Sequence, residues 1–126
     1  MKTEEMTPRQ QMYSDIIITA VEGGIGYWAF VTDYKWQDAD GCEVAATVTI
    51  HPEDEAEVYA LDISKIGSAL SRMANGGGFG RREAPEWWVK KWRKAYRECA
   101  NGGWDFDAGD ADAVVQVAIF GEVVYG

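Results

Sequence analysis

Between Gly80 and Glu98 the run GRREAPEWWVKKWRKAYRE gathers the residues best suited to hold an anion. Arg81, Arg82, Lys90, Lys91, Arg93, Lys94 and Arg97 are seven of the chain's twelve cationic residues, and Trp87, Trp88 and Trp92 are three of its six tryptophans. Guanidinium and ammonium groups take phosphate, and an indole stacks on a base. At 100° per residue Trp88, Trp92, Ala95, Tyr96 and Cys99 share one helical face, a core stripe that needs no functional explanation. Trp87 falls outside that stripe, among Lys90, Lys91 and Lys94. Alone, it reads as a cap on the core from the helix's first turn. Taken together, Arg81, Arg82, Trp87, Lys90, Arg93, Lys94 and Arg97 are the candidate ligand-binding set, suited to a small anionic, nucleotide-like ligand. Trp87 could equally mark a homo-oligomer interface.

The rest of the chain has the opposite charge. Within 80–98 seven cations face three acids, net +4; elsewhere five cations face eighteen acids, net −13, so the whole carries −9. That balance argues against nucleic acid or an anionic membrane as partner for the chain as a whole. It suits a partner protein with a basic surface, met by Glu53, Asp54, Glu55, Glu57 and the aspartates of 105–112.

Other motifs give less. NGGGFG at 75–80 has the glycines of a phosphate cradle, but no GK[ST] follows and no strand leads into it; a flexible connection or hinge is the simpler reading. The acids of WDFDAGDAD fail the EF-hand template, since Gly109 holds a ligand position and Gln116 stands at position twelve. His51 is the one histidine, and Cys42 and Cys99 lack metal spacing, so no metal or cofactor is expected. Cys42 and His51 sit at opposite ends of one expected strand, too far apart for a nucleophile pair. No serine–histidine–acid set appears, and the expectation is a protein that is not an enzyme. The two cysteines could pair once, although two buried thiols fit an intracellular protein better. MKTEEMTPRQ has no apolar h-region and no run reaches membrane-spanning length, so the expected location is cytoplasmic.

The elements that must position these residues follow from capping and period. Residues 1–6 read as a frayed tail. Thr7, Pro8 and Gln10 start a helix whose apolar Tyr13, Ile16, Ile17, Ala20 and Ile25 lead to a stop at Gly23-Gly24. From Gly26 the period is two, with Trp28, Phe30, Tyr34 and Trp36 on one side, expected to face the core rather than to form a stacking platform. Cys42–Ile50 alternates with Val44, Ala46, Val48 and Ile50 on one face until His51-Pro52, and a third strand is expected near 56–61. Asp62 caps a helix carrying Ile63, Ile66, Leu70 and Met73. Pro85 begins the tryptophan-rich helix, which runs to about Ala100. Asp110 is placed as the cap of a last helix; β-branched residues in 114–125 leave a strand open. The sum is a single α+β domain: an N-terminal helix, a three-stranded antiparallel meander and three C-terminal helices.

TAVEGGIGYWA at 19–29, YKW at 34–36 and VVQVAIFGEVVYG at 114–126 resemble a group of short proteins encoded by tailed bacteriophages of actinobacteria, over most of the chain from the first helix onward. No activity is assigned to that group, so the resemblance carries over no catalytic or binding residue. It implies a phage accessory protein made in the cytoplasm of an infected cell, and the acidic surface suits an antagonist of a host defence factor there. A structural or assembly protein of the virion is an alternative of the same origin.

Overall fold

The computed structural model describes residues 6–36, 45–80 and 82–126. Helix α1, Pro8–Thr19, opens with the expected capping box: the Gln10 amide donates to Thr7 Oγ1 at 3.1 Å and the Thr7 amide to Gln10 Oε1 at 2.9 Å. Each such cap stabilises a helix by about 1 kcal/mol. The α-helix stops earlier than Gly23-Gly24. From Ala20 to Gly24 the chain widens into a π turn closed by Ile25 N–H to the Ala20 carbonyl, 3.0 Å. Such single-turn π segments insert one residue into the helical ladder.

Strand β1, Ala29–Trp36, pairs antiparallel with β2, Ala46–Pro52, which pairs antiparallel with β3, Tyr59–Leu61, in the order β1-β2-β3. The alternation in β2 is as expected: Ala46, Val48 and Ile50 are buried, while Val44 lies outside the described residues. In β1 the expected face is corrected. Ala29 and Val31 lie opposite Pro52 and Ile50 on the core side, whereas Phe30, opposite His51, is 55% exposed on the outer face. The cause is local. Asp33 adopts a left-handed φ of 52°, and the register slips between Thr32 and Lys35. That bulge adds one residue to β1 and inverts its parity. Past it, Trp36 lies opposite the buried Ala46 but at the strand end, where it stays 53% exposed; Tyr34 is half-buried against it, ring centres 4.7 Å apart. Trp28, in the turn before the strand, is buried.

Helices α2, Ile63–Ala74, α3, Glu86–Cys99, and α4, Ala108–Phe120, complete the chain. Asp62 caps α2 as expected, accepting from the Lys65 amide at 3.1 Å. Its apolar face buries Ile66, Leu70 and Met73, and α3 buries Trp88, Trp92, Ala95 and Cys99. The cap of α4 is corrected from Asp110 to Asp107. Asp107 Oδ1 accepts from the Asp110 amide at 2.8 Å and Asp110 Oδ2 from the Asp107 amide at 3.2 Å, a capping box one turn earlier. The helix ends at Gly121 in the left-handed region, φ 84°.

α1 lies against β2 and α4 against β3, while α3 packs on α2 and α1. The core runs between these layers, so the expected α+β arrangement is the one observed. The glycine loop is anchored rather than loose: Trp88 Nε1 donates to the Gly77 carbonyl at 3.0 Å and the Val123 amide to the Gly78 carbonyl at 2.9 Å. A side chain at Gly78, φ 88°, would meet Val117 at 2.8 Å, so packing accounts for that glycine. Among the described residues no helix is long and apolar enough to cross a membrane.

Candidate functional site

The cationic set sits on the first turns and outer face of α3. Trp87 is 58% exposed and stands edge-on to Phe79 and Trp88, with ring centres 6.1 and 5.9 Å away. It therefore covers the aromatic cluster with one side and offers the other to water. Lys90 pairs with Glu86 one turn back at 3.5 Å, a highly exposed contact that contributes little. Lys91 pairs with Asp110 at 2.6 Å and ties α3 to α4. Arg93 Nε donates to the Ala74 carbonyl at the end of α2, 3.3 Å. Arg82, Lys94 and Arg97 are exposed and have no carboxylate within 4 Å among the described residues. Arg81 lies outside the described residues, as does Cys42. Two cations of the set, Lys90 and Arg93, thus have partners within the fold, as does the neighbouring Lys91.

The acids divide in the same way. Asp107 and Asp110 cap α4, and Asp112 is drawn into a polar clasp. Its carboxylate accepts from Tyr27 Oη at 2.5 Å, Trp28 Nε1 at 2.8 Å and Gln116 Nε2 at 2.9 Å. Gln116, fully buried in an apolar helix, also accepts from the Val124 and Tyr125 amides, each at 2.7 Å, and donates to the Tyr125 carbonyl at 3.2 Å. The C-terminal segment is thereby folded back along α4, and Tyr125 stacks on Trp28 at 5.0 Å and 8° between planes. A Cβ at Gly24 would stand 2.9 Å from the Ala108 carbonyl, so the π turn approaches α4 backbone to backbone. The stretches 19–29 and 114–126 therefore meet in one clasp. Sequence reasoning missed these roles; the one signal was a lone glutamine within VVQVAIF.

Burial, then donation to Asp112 and the charge of that carboxylate, pushes the Tyr27 phenol up to about 12, against the opposing bond from Gln116. The ordinary value is about 10, so between those values the unfolded chain has lost the proton and the folded chain keeps it. Stability linked to Tyr27 is complete below pH 10 and falls as pH rises through 12. In melting curves taken from pH 9 to 12, Tyr27→Phe is expected to flatten part of the alkaline decline; an identical decline in the variant contradicts the linkage.

Glu53, Asp54, Glu55 and Glu57 occupy the exposed connection between β2 and β3, with no cation within 4 Å among the described residues. The Tyr59 hydroxyl donates to Glu55 and, at 3.3 Å, to Glu57, and those contacts push its pKa up. Tyr125 is raised as well, by burial first and then by Asp54 and Glu55, which places this turn beside the C-terminal segment. Tyr59 meets Phe120 edge-on at 5.4 Å. The acidic turn thus lies by the last turn of α4 and the Lys91–Asp110 pair by its first, about 15 Å apart at 1.5 Å per residue.

Groups suited to reaction are dispersed. His51 stacks on Phe30 at 4.5 Å and shares a 2.7 Å hydrogen bond with Thr32 on the outer sheet face. Cys99 is buried, and desolvation pushes its thiol up to about 11, which disfavours the reactive thiolate. No group of three or more metal-ligating side chains forms among the described residues. Two open grooves flank α2. One, of about 710 Å³, runs along α4 past Lys65, Ser68, Arg72 and Val117; the other, of about 380 Å³, lies toward Tyr13 and Tyr96. Neither is lined by Trp87 or by the cations of α3.

Fold and surface together define a small α+β domain with charged patches set on a firmly bonded frame. No family model, curated protein or solved structure matches the chain.

Proposed function

We propose that this is a non-enzymatic binding protein whose working surface is the acidic turn Glu53, Asp54, Glu55 and Glu57, presented to a basic surface on a partner protein. The observation that carries this reading is a contrast among the acids. Asp107, Asp110 and Asp112 are engaged by caps, a lysine and the clasp, whereas Asp105 and the four acids of the turn are exposed without a cation within 4 Å among the described residues, and only the turn gathers four of them together. Tyr59 restrains two of them, which lowers the ordering cost on binding. Closely spaced carboxylates can stand in for phosphates and steer a cationic partner into contact. The resemblance to short phage proteins supports a place in the cytoplasm of an infected bacterium, where the partner would be a host defence factor with a nucleic-acid site to occlude. Sequestration of a nucleotide-like ligand by Arg81, Arg82, Trp87, Lys90, Arg93, Lys94 and Arg97 finds less support, because Lys90 and Arg93 already have partners within the fold, Glu86 and the Ala74 carbonyl.

The test is affinity capture from host-cell extract by the wild type and by the E53Q/D54N/E55Q/E57Q variant. The wild type should retain a protein that duplex DNA displaces and that about 0.5 M salt releases, since exposed charges are screened at that strength. Retention of the same protein by the variant, or through molar salt, contradicts the proposal.

A further inference from the structure

The groove between α2 and α4 combines an unusual charge with an unusual mobility constraint. Among the described residues that line it there is no carboxylate, in a chain with 21 acids, yet it holds Lys65 and Arg72, two of the five cations outside 80–98. Lys65 is tethered by its Nζ to the Ala60 carbonyl. Arg72 is not engaged: its guanidinium has no hydrogen-bond acceptor or carboxylate partner among the described residues. Its path is nonetheless constrained by Gly77, where a Cβ would stand 2.7 Å from Arg72 Cγ and force the side chain to shift. The guanidinium reaches Gly121, where a Cβ would stand 3.7 Å from one of its nitrogens, an ordinary contact. Ser68 sits one helical turn before Arg72 on α2, Ser71 beside it, and Val117 and Ala118 form the facing wall. The volume of about 710 Å³ is within the range of small-molecule sites.

We propose that this groove is a binding site for a small phosphate monoester. Arg72 supplies the planar fork that matches phosphate oxygens, Ser68 and Ser71 supply hydroxyl donors, and the Val117–Ala118 wall takes the apolar or aromatic body of the ligand. The site is separate from the acidic turn, and neither reading depends on the other.

The full chain is titrated calorimetrically with inorganic phosphate, phenyl phosphate and adenosine 5′-monophosphate, with adenosine as the uncharged control. The organic phosphates should bind saturably and adenosine at least about tenfold more weakly, the factor that 1.4 kcal/mol represents. Arg72→Ala should weaken binding by about tenfold or more, and Arg72→Lys should fall between, since it keeps the charge and loses the fork. Ser68→Phe, which places a bulky ring in the groove one turn from Arg72 and leaves the guanidinium in the chain, should abolish binding and serves as the deciding variant if Arg72→Ala does not fold. Any of three results overturns the proposal: no saturable heat from any phosphate up to about 5 mM, equal affinity for adenosine and its monophosphate, or wild-type affinity in a folded Arg72→Ala or Ser68→Phe protein.

Discussion

Gln116→Leu is expected to lower the melting temperature by about 10 °C, as read by differential scanning calorimetry, corresponding to about 2–3 kcal/mol for a chain of this size. Leucine fits an apolar helix as well as glutamine does, so the loss comes from the partners left behind. The amides of Val124 and Tyr125 lose their acceptor, and Asp112 loses one of its three donors. With the C-terminal segment detached, Tyr125 no longer covers the Trp28 indole. Asp112→Ala should cost a comparable amount, because it orphans the indole N–H of the buried Trp28. The double variant should cost clearly less than the sum, since both changes break one connected network. A Gln116→Leu protein that melts within a degree or two of the wild type, or strict additivity of the pair, contradicts the clasp.

Trp92→Ala is expected to cost about 4 kcal/mol in urea denaturation, with the slope of the transition unchanged. Trp92 is 1% exposed and joins Trp88 and Trp104, each with its ring centre 5.6 Å away, so truncation opens the middle of the aromatic chain that links α3 to the α3–α4 connection. Its indole Nε1 is buried without a partner among the described residues. Phenylalanine removes that unpaired donor, and the relief offsets part of the lost volume. Trp92→Phe should therefore cost much less than Trp92→Ala. Equal losses for the two variants would show that volume alone governs the site.

What could be read from the sequence and what could not divide along local and long-range lines. Thr7-Pro8-Gln10 and Asp62 announced their helices because a cap is satisfied within three residues. The stripe of α3 was equally plain, since its spacing repeats over fourteen residues. The inner face of β1 was misread because a period of two was carried through Asp33, whose left-handed backbone inverts the alternation. Asp110 reads as a cap in the sequence because it precedes the apolar run, although Asp107 sits in the capping position and Asp110 completes the box. The clasp was beyond reach of any local rule: Asp112 and Trp28 are 84 residues apart, and Gln116 binds backbone amides, which carry no residue identity. The cations of α3 lie on an outer face, and the Glu86–Lys90 pair follows from helical spacing, but Asp110 and the Ala74 carbonyl, which engage Lys91 and Arg93, emerge only with the fold.

On the proposed function, the buried and capping polar groups serve the fold and the acidic turn between β2 and β3 is left to bind. One paired measurement addresses it: melting temperature and partner capture for E53Q/D54N/E55Q/E57Q beside the wild type. The melting temperature should shift by no more than a few degrees, because surface changes of this kind stay within about 0.5 kcal/mol each, and the DNA-displaceable partner should be lost. A variant that captures the partner as the wild type does, with its fold intact, would contradict that reading.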